Sequence, residues 1–336
     1  MSAEGCLPAL VISLDLEQAW GSEPQRIGPA ELAAYHGARR AIPRILDLVA
    51  ERNVALTWAT VGLLFFDERD EMLSQLPAQR PSYADPALSA YARLNDVGRN
   101  EREDPLHFGR SLLRRIGAYP RQEIAGHSFS HYYALEDGND PESFAADLAA
   151  ASKAAASLGV ELKSLVFPRN QVKEAYLPLC RSAGYESFRG TQQGGSHDGR
   201  PRRGDHLRHR AARLAETYLP LTPNAPGRPV VTAGLVNIAA SHFLRPAQIR
   251  LTALDQLQRI RIRGRMRCAA QRRGICHIWW HPQNFGQDID QNLHMLGAIL
   301  DDYRRMADDF GMTSVTMAEL ASSCRRERSD AAGLAA

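Results

Sequence analysis

Short apolar runs alternate along the chain with longer stretches whose apolar positions recur every three to four residues. The first run, residues 7–14, is continuously apolar, which is typical of a strand buried on both faces of a parallel sheet. Residues 37–52 show helical spacing, and residues 53–58 again have the composition of a strand. This order predicts a β-α-β unit at the start of the chain.

The same alternation continues to the end of the sequence. Further strands are predicted at 123–125, 162–167, 185–188, 274–280 and 312–316, and helices at 145–158, 175–183, 248–267 and 292–310. The buried stripe of the helix beginning at residue 248 is predicted to consist of Leu254, Leu257, Ile260, Gly264 and Cys268. Strands that alternate with helices indicate an α/β fold built on a parallel sheet or barrel.

Two stretches interrupt this pattern without dividing it. Residues 67–122 and about 190–245 are rich in charge, Pro or Gly, and we interpret them as variable loop excursions from one domain that spans residues 1–322. The first excursion is expected to run over the mouth of the barrel. Residues 323–336 are expected to form a flexible tail.

Charge and composition exclude several classes of function. The formal net charge of +3 is small for 336 residues, so no nucleic-acid partner is expected. No window approaches the roughly 18 apolar residues of a transmembrane helix, and the first residues lack the features of a signal peptide. The five cysteines are odd in number and show no CxxC spacing, which favours a reducing compartment. A cytoplasmic location is therefore expected.

Polar residues follow the first and third predicted strands. Asp15 and Glu17 would point to the same face if the strand continues that far. His127 and His131 would meet on one side if the backbone turns helical after the strand. Imidazole and carboxylate ligands that leave a position for water are typical of a catalytic zinc site. Taken alone, each motif also fits a plainer interpretation: a solvated acidic turn, or two unrelated histidines.

Two later strands also end in polar segments. Residues 168–171 read Pro-Arg-Asn-Gln and residues 281–284 read His-Pro-Gln-Asn. Since the carboxyl ends of parallel strands lie at one edge of a sheet, all four motifs are expected to converge there.

The four motifs, in their order along the chain, resemble those of a known family. Ser13-Leu-Asp-Leu-Glu17, His127-Ser-Phe-Ser-His131, Phe167-Pro-Arg169 and Trp280-His281 are similar to the ordered motifs of the polysaccharide deacetylases, the NodB-like carbohydrate esterases. The resemblance covers roughly residues 8–320. It implies a distorted, incomplete (β/α) barrel that removes an N-acyl group, in the first place N-acetyl, from an amino sugar. It also implies a divalent metal, with Zn expected first and Co, Ni or Mn as alternatives.

Matching motif to motif implies roles for individual residues. Asp15 would be the general base, Arg169 would orient it, and His281 would protonate the leaving amine. His127 and His131 would bind the metal.

One position departs from the family pattern. The family's first motif has two adjacent aspartates, the second of which binds the metal, but Leu16 follows Asp15 here. Glu17 is then the candidate third ligand, and an exchange of roles between Asp15 and Glu17 stays open.

Substrate contacts are harder to assign. Trp20 and Trp280 could stack on a sugar, and Asn284 could bind it, although tryptophan in a strand usually belongs to the core. The expected partner is an N-acylated amino sugar or glycoconjugate, free or linked to a nucleotide or lipid. The arginine-rich residues 200–210 could bind a carrier phosphate, or be a solvated charge run.

Two other functions remain compatible with the same fold. Relatives that resemble allantoinase open cyclic amides without a metal, and a barrel that has lost its second aspartate could bind sugar without catalysis. A candidate base, two histidines, an arginine and a terminal histidine favour the enzyme, because binding alone needs no acid and base.

Overall fold

The protein is represented by a computed structural model, which describes residues 8–22, 27–191, 214–219, 224–247 and 252–333. The arginine-rich segment 200–210 lies outside these residues.

Ten strands of the described chain form one curled sheet. They are β1 (Ala9–Leu16), β2 (Leu56–Thr60), β3 (Gln122–Gly126), β4 (Ser164–Val166), β5 (Ser187–Arg189), β6 (Val230–Thr232), β7 (Leu235–Asn237), β8 (His242–Phe243), β9 (Ile275–Trp280) and β10 (Thr313–Ser314). The order is β6-β7-β5-β4-β3-β2-β1-β9-β8, with β10 added beside β1, and only the β6–β7 pair is antiparallel. The edge strands β6 and β8 leave the barrel open, so the predicted distorted, incomplete (β/α) barrel is confirmed.

Eight helices accompany the sheet in the described residues. They are α1 (Pro29–Glu51), α2 (Arg69–Ser74), α3 (Arg110–Gly117), α4 (Pro141–Ala156), α5 (Leu177–Ser182), α6 (Thr252–Gln271), α7 (Ile289–Phe310) and α8 (Met317–Gly333). Residues 214–218 form a further short helical segment. None of the helices in the described part is long and apolar enough to cross a membrane.

The central strand β1 is buried along its whole length, as its continuous apolar run predicts. Leu10, Ile12 and Leu14 belong to the apolar cluster that also contains Ile42 and Ile45 of α1. Each such side chain stabilises the fold by about 1.5–3 kcal/mol when it is fully buried. The opposite face of β1 carries Ser13 and Asp15, so the helix side of the sheet is apolar and the inside of the barrel becomes polar towards its carboxyl edge.

Helix α1 begins eight residues before the predicted position of 37. Pro29 occupies the first turn, and the Glu31 side chain accepts a hydrogen bond from the Gly28 amide at 3.0 Å. The helix packs tightly on the turn that follows β9: a Cβ atom on Gly37 would lie 1.8 Å from the carbonyl oxygen of Gly286. This contact fixes the segment that carries His281.

Helix α6 shows that the predicted buried stripe is wrong. Leu257 is 40% exposed and Ile260 55% exposed, whereas Arg261 and Arg265 lie on the buried face. Arg261 donates to Asn224 Oδ1 at 2.6 Å, and other buried positions of this helix are Gln258, Ile262, Met266, Ala269 and Ala270. Periodicity selected the wrong face because it cannot show that polar partners for arginine lie on the inner side of the helix.

The first excursion lies beside the carboxyl end of β1. The amide of Ala19 donates to Leu106 O at 3.1 Å, and Trp20 Nε1 donates to His107 O at 3.0 Å. This part of the chain therefore covers the residues that follow the first strand.

The C-terminal segment differs from the flexible tail expected at 323–336. Helix α8 runs to Gly333, Cys324 is 1% exposed, and Arg325 donates to Glu186 O at 3.0 Å. A buried thiol and a hydrogen bond to the strand region hold at least the first part of this segment on the domain. Residues 334–336 lie outside the described chain.

Candidate active site

Polar side chains from four strands meet at the carboxyl edge of the sheet. Asp15 lies near the end of β1, His127 directly follows β3, Arg189 ends β5 and His281 directly follows β9. Because these strands are parallel, their carboxyl ends lie at one edge, as the sequence predicts for the motifs of β1, β3 and β9.

Asp15 is held by an arginine. Arg189 Nη1 donates to Asp15 Oδ1 at 2.6 Å and Nη2 donates to Oδ2 at 2.7 Å, and neither side chain is more than 3% exposed. Burial raises the pKa of Asp15, but the guanidinium outweighs it, so the carboxyl pKa lies below its usual value. The result is an ionised carboxylate in one fixed orientation.

A chain of hydrogen bonds fixes the orientation of the Arg189 guanidinium. Its Nη1 also donates to Ser13 Oγ at 3.0 Å, Ser13 donates to His277 Nε2 at 2.8 Å, and His277 Nδ1 donates to Ile238 O at 3.0 Å. Burial and the Arg189 charge lower the pKa of His277 to about 3, so this ring is neutral and the direction of every hydrogen bond is set. The indole of Trp279 lies against the guanidinium at 4.3 Å.

Glu17 is the meeting point of three imidazoles. Its Oε1 lies 3.0 Å from His127 Nε2, 3.3 Å from His131 Nε2 and 3.4 Å from His281 Nε2. On the other side, a Cβ atom on Gly21 would lie 1.8 Å from Glu17 Oε2, so Gly21 leaves the space that the carboxylate fills. The three nitrogen atoms therefore face one oxygen atom of a tightly packed side chain.

Glu17, His127 and His131 fit a divalent cation. His127 Nδ1 donates to Val166 O at 2.8 Å, so in the neutral ring the lone pair of Nε2 points at Glu17 Oε1. Two lone pairs at that distance need a proton or a cation between them. Ligands of a tetrahedral zinc with bonds of about 2.0–2.1 Å lie roughly 3.3 Å apart, and the ligand atoms of these three residues all lie within 4.8 Å of one another.

The two histidines are brought together by a bent loop rather than by the helical turn that the sequence suggested. Residues 127–133 contain no helix, and Ser128 and His131 have φ angles of 58° and 57°. Ser128 Oγ accepts the amide of Tyr132 at 2.7 Å, which closes the bend. Two of the five residues 127–131 thus have a left-handed backbone conformation. Such a conformation is strained, and it persists because surrounding contacts hold it.

Asp147 of α4 supplies those contacts. One carboxylate oxygen accepts the amide of Phe129 at 2.6 Å, and the other accepts the amide of Ser130 at 3.1 Å and its hydroxyl. Asp147 is fully buried. Its hydrogen bonds hold the centre of the loop, between His127 and His131, in place.

The pKa values of His131 and His281 are shifted in opposite directions although both rings face Glu17. Burial lowers the pKa of His131, and the nearby Glu17 charge does not restore it. Burial also lowers the pKa of His281, but the charges of Glu17 and Asp15 outweigh it and the pKa is raised. His281 Nε2 lies 3.8 Å from Asp15 Oδ2, and its side chain is 24% exposed. One ring is suited to offer a lone pair and the other to hold a proton.

The comparisons with known proteins agree with this arrangement at the level of fold. No protein-family model and no curated protein matches the sequence. Among solved structures, the chain is similar to a protein of Mycobacterium smegmatis described as a polysaccharide deacetylase, with 14% identity, a TM-score of 0.59, and coverage of 97% of this chain and 92% of the other. The chain has the polysaccharide deacetylase fold.

Two further structures share this deacetylase fold. One is a Pseudomonas aeruginosa PAO1 protein described as a polysaccharide deacetylase, at 14% identity and a TM-score of 0.55, covering 97% of this chain and 95% of the other. The second is the allantoinase PuuE, at 12% identity and a TM-score of 0.52, covering 96% and 92%. Similarity at these identities is a similarity of fold.

Within the deacetylase fold, the arginine beside Asp15 is not the one that the motifs indicated. Arg169 is exposed, with a φ angle of 54°, whereas the guanidinium on Asp15 belongs to Arg189. Asn170, the next residue after Arg169, accepts from Arg189 Nη2 at 2.9 Å. The motif after β4 therefore contacts the site through its asparagine. Arg189 follows a predicted strand just as the other polar motifs do, and that signal could have identified it.

The residues predicted to bind substrate occupy other positions. Trp20 and Trp280 are both 0% exposed, and Trp280 stacks on Phe285 at 5.4 Å. Both rings lie in the core, which is the alternative that the sequence left open, because side chains that pack towards the helices cannot line the mouth. Asn284 Oδ1 accepts the amide of His281 at 3.1 Å, so it caps the turn after β9.

Proposed function

We propose that this protein is a metal-dependent hydrolase that removes an N-acyl group, in the first place N-acetyl, from an amino sugar. The observation that supports this proposal is the convergence of His127, His131 and His281 on one oxygen of Glu17, beside an Asp15 carboxylate that is locked by Arg189. Amide hydrolysis needs both a proton acceptor and a proton donor, and this site has a candidate for each.

Glu17, His127 and His131 would hold the cation, with Zn expected first and Co, Ni or Mn as alternatives. When bound, such an ion polarises the acyl carbonyl and makes a water molecule a nucleophile at neutral pH. These three side chains are at most 7% exposed, so the protein dipoles around them replace bulk water.

Asp15 would accept the proton of the attacking water. Its Oδ2 faces the cluster, since it lies 3.8 Å from His281 Nε2 while Arg189 holds both oxygens from the other side. The new C–O bond forms as this proton moves to the carboxylate. Arg189 acts as a positioning residue, because it fixes which oxygen of Asp15 can receive a proton.

His281 would donate the second proton. As the C–N bond breaks, the leaving nitrogen gains an electron pair and must take up a proton to depart as an amine. His281 lies beside Asp15 and Glu17 and is the most solvent-accessible of the five clustered acid and imidazole side chains. Its ring can therefore reach a leaving group that extends towards solvent.

The substrate proposed is an N-acylated amino sugar or glycoconjugate, free or linked to a nucleotide or lipid, in polysaccharide or glycoconjugate biosynthesis. Arg169 is exposed after β4, where it could contact an anionic part of such a substrate. A cytoplasmic location stays a prediction, which cell fractionation would test.

An amine-release screen tests the function directly. Purified protein would be incubated with N-acetylated and N-formylated amino sugars, with allantoin as the cyclic-amide alternative, each with and without a chelator. Amine release is measured for the sugars, and carboxylate formation for allantoin, because opening of its ring frees no amine. The proposal expects amine release from at least one N-acyl sugar and its loss on chelation. Chelator-resistant ring opening of allantoin, or binding of sugar without amine release, would replace it with one of the two alternatives.

A further inference from the structure

Among the five clustered acid and imidazole side chains that the structure describes, His281 is much more exposed to solvent than the others. The side chains of Asp15, Glu17, His127 and His131 are at most 7% exposed, whereas His281 is 24% exposed. A substrate must therefore approach along the side of the cluster where His281 lies. The residues that surround His281 are the ones that a bound substrate meets beyond its scissile bond.

Phe243 lies on that side. It ends β8, which is parallel to β9, and its Cα partner across the two strands is Trp279. The ring centroid of Phe243 is 6.0 Å from that of His281 and 4.7 Å from that of Trp279. Unlike Trp279, which is only 8% exposed, Phe243 is partly exposed.

The ring of Phe243 packs against Trp279 and lies near the guanidinium of Arg245. Trp279 lies between Phe243 and the guanidinium of Arg189, which is 4.3 Å from the indole. The guanidinium carbon of Arg245 lies 5.8 Å from the Phe243 centroid. A ring held by an indole and a guanidinium keeps one orientation, so it can offer a fixed apolar surface.

The chemistry assigns the part of the substrate that lies there. An acid that protonates the leaving nitrogen must be next to it, so the sugar that carries this nitrogen lies on the His281 side of the scissile bond and the acyl group on the opposite side. We infer that Phe243 contacts the amino sugar ring and is a specificity-determining residue that favours glycosides over simple acyl compounds. This inference rests on the proposed function, since it requires His281 to face the leaving sugar.

The test compares two probes in the full-length, metal-loaded protein. One is an N-acetylglucosamine tetramer, and the other is ethyl acetate, an ester whose leaving group carries no ring that Phe243 could contact. Phe243→Ala should raise KM for the tetramer about fivefold more than it raises KM for the ester, since an aromatic contact contributes on the order of 1 kcal/mol. Phe243→Trp should restore most of the discrimination, because it keeps an aromatic surface.

Phe310→Ala is the matched control. Phe310 is 36% exposed at the end of α7, outside the site, and its loss should change neither KM. Phe243→Leu covers the case in which the alanine variant is poorly folded, because it keeps apolar volume without a ring. Equal effects of Phe243→Ala on tetramer and ester, or effects no larger than those of Phe310→Ala, would overturn the inference.

The failure of the proposed function would look different. It would be seen in the wild type alone, as no cleavage and no binding of any N-acyl sugar, with binding followed by saturation-transfer NMR. The inference about Phe243 would then also be wrong. If instead the wild type cleaves the tetramer and Phe243→Ala keeps the same preference for the tetramer over the ester, the inference alone is wrong and the proposed function stands.

Discussion

At the scale of single residues, the buried pair of Asp15 and Arg189 is the feature that needs an explanation. A buried ion pair contributes little net stability, because removing two charges from water costs nearly as much as their attraction returns. Removing one partner alone costs roughly 3–5 kcal/mol, because the other charge stays buried. The extended network of Ser13, His277 and Asn170 around Arg189 is therefore best understood as holding an orientation.

The proposed role of His281 as the proton donor can be tested by removing its side chain. His281→Ala should lower kcat by a factor of roughly 10² to 10⁴ with little change in KM, because the proton is needed only as the C–N bond breaks. Metal content should stay at the wild-type value. An ester analogue should be less impaired than the amide, since an alkoxide leaves with less protonation. Steady-state kinetics on both analogues and elemental analysis check this, and loss of metal or equal loss on ester and amide would make His281 a ligand or a packing residue.

At the scale of elements, the bent loop after β3 depends on a helix that comes later in the chain. Asp147 of α4 accepts the amides of Phe129 and Ser130. Without it, two buried amides lose their partner, at about 1–3 kcal/mol each. The loop then no longer holds His127 and His131 at the spacing that Glu17 requires.

Asp147→Ala should therefore weaken divalent-metal affinity about 10- to 100-fold, the usual range for residues that orient metal ligands. Asp140→Ala, at the N-cap of the same helix, is the control. It removes the helix cap on the Ser143 amide at a cost of about 1 kcal/mol, and it should leave metal affinity unchanged. Competition titration with a metal indicator measures both. Equal affinities of the two variants would show that Asp147 contributes stability alone.

The same carboxyl predicts a pH dependence. Burial raises the pKa of Asp147 to about 6, above the unfolded value near 3.8. The folded state then binds the proton more tightly, so the stabilisation is fully present below the unfolded pKa and is lost as the pH rises through the folded pKa. The free energy of unfolding of the wild type, relative to Asp147→Asn, should fall by about 2 kcal/mol between pH 4.5 and 7.5. Urea titrations at both pH values measure this difference, and a constant difference would refute it.

The elements also show how far the sequence alone could go. The buried strand β1 and the polar residues after β1, β3 and β9 were predictable, because a continuous apolar run and its polar end are local signals. Arg189 also follows a predicted strand, so its position at this edge could have been predicted, but its pairing with Asp15, 174 positions away along the chain, could not. The buried positions of Arg261 and Arg265 could not be predicted, since nothing local shows that Asn224 or Glu216 would contact them. The bend of the histidine loop was also unpredictable, because a residue in α4 holds it.

At the scale of the whole molecule, the site depends on a contact between the first helix and the last catalytic segment. Gly37 of α1 packs so closely against Gly286 that a side chain at position 37 would not fit. A Cβ atom on Gly286 would in turn lie 1.9 Å from Ala34 O. The turn after β9 is therefore placed by α1, and His281 precedes that turn by one residue. Distant parts of the chain thus determine where the proposed acid lies.

Gly37→Ala should push this turn outward. Overpacking of this kind costs about 1–3 kcal/mol, and a displacement of His281 by about 1 Å should lower kcat up to 100-fold without loss of metal. Gly117→Ala is the control, because its Cβ would meet nothing within 4 Å at the end of α3. Thermal unfolding and kinetics of both variants check the effect. If Gly37→Ala unfolds earlier but keeps full kcat, the contact serves stability alone.

The proposed function requires Glu17, His127 and His131 to hold one divalent cation while Asp15 receives the proton. Metal content and amine release, measured together on the wild type, Glu17→Gln, His127→Ala and Asp15→Asn, test it most directly. We expect about one divalent ion per wild-type chain, its loss in Glu17→Gln and His127→Ala, and an Asp15→Asn variant that keeps the ion but loses most activity. A wild type that contains no metal and hydrolyses its substrate in the presence of a chelator would show that the site works without a metal ion. An Asp15→Asn variant that loses the ion while Glu17→Gln keeps it would exchange the roles of the two carboxylates.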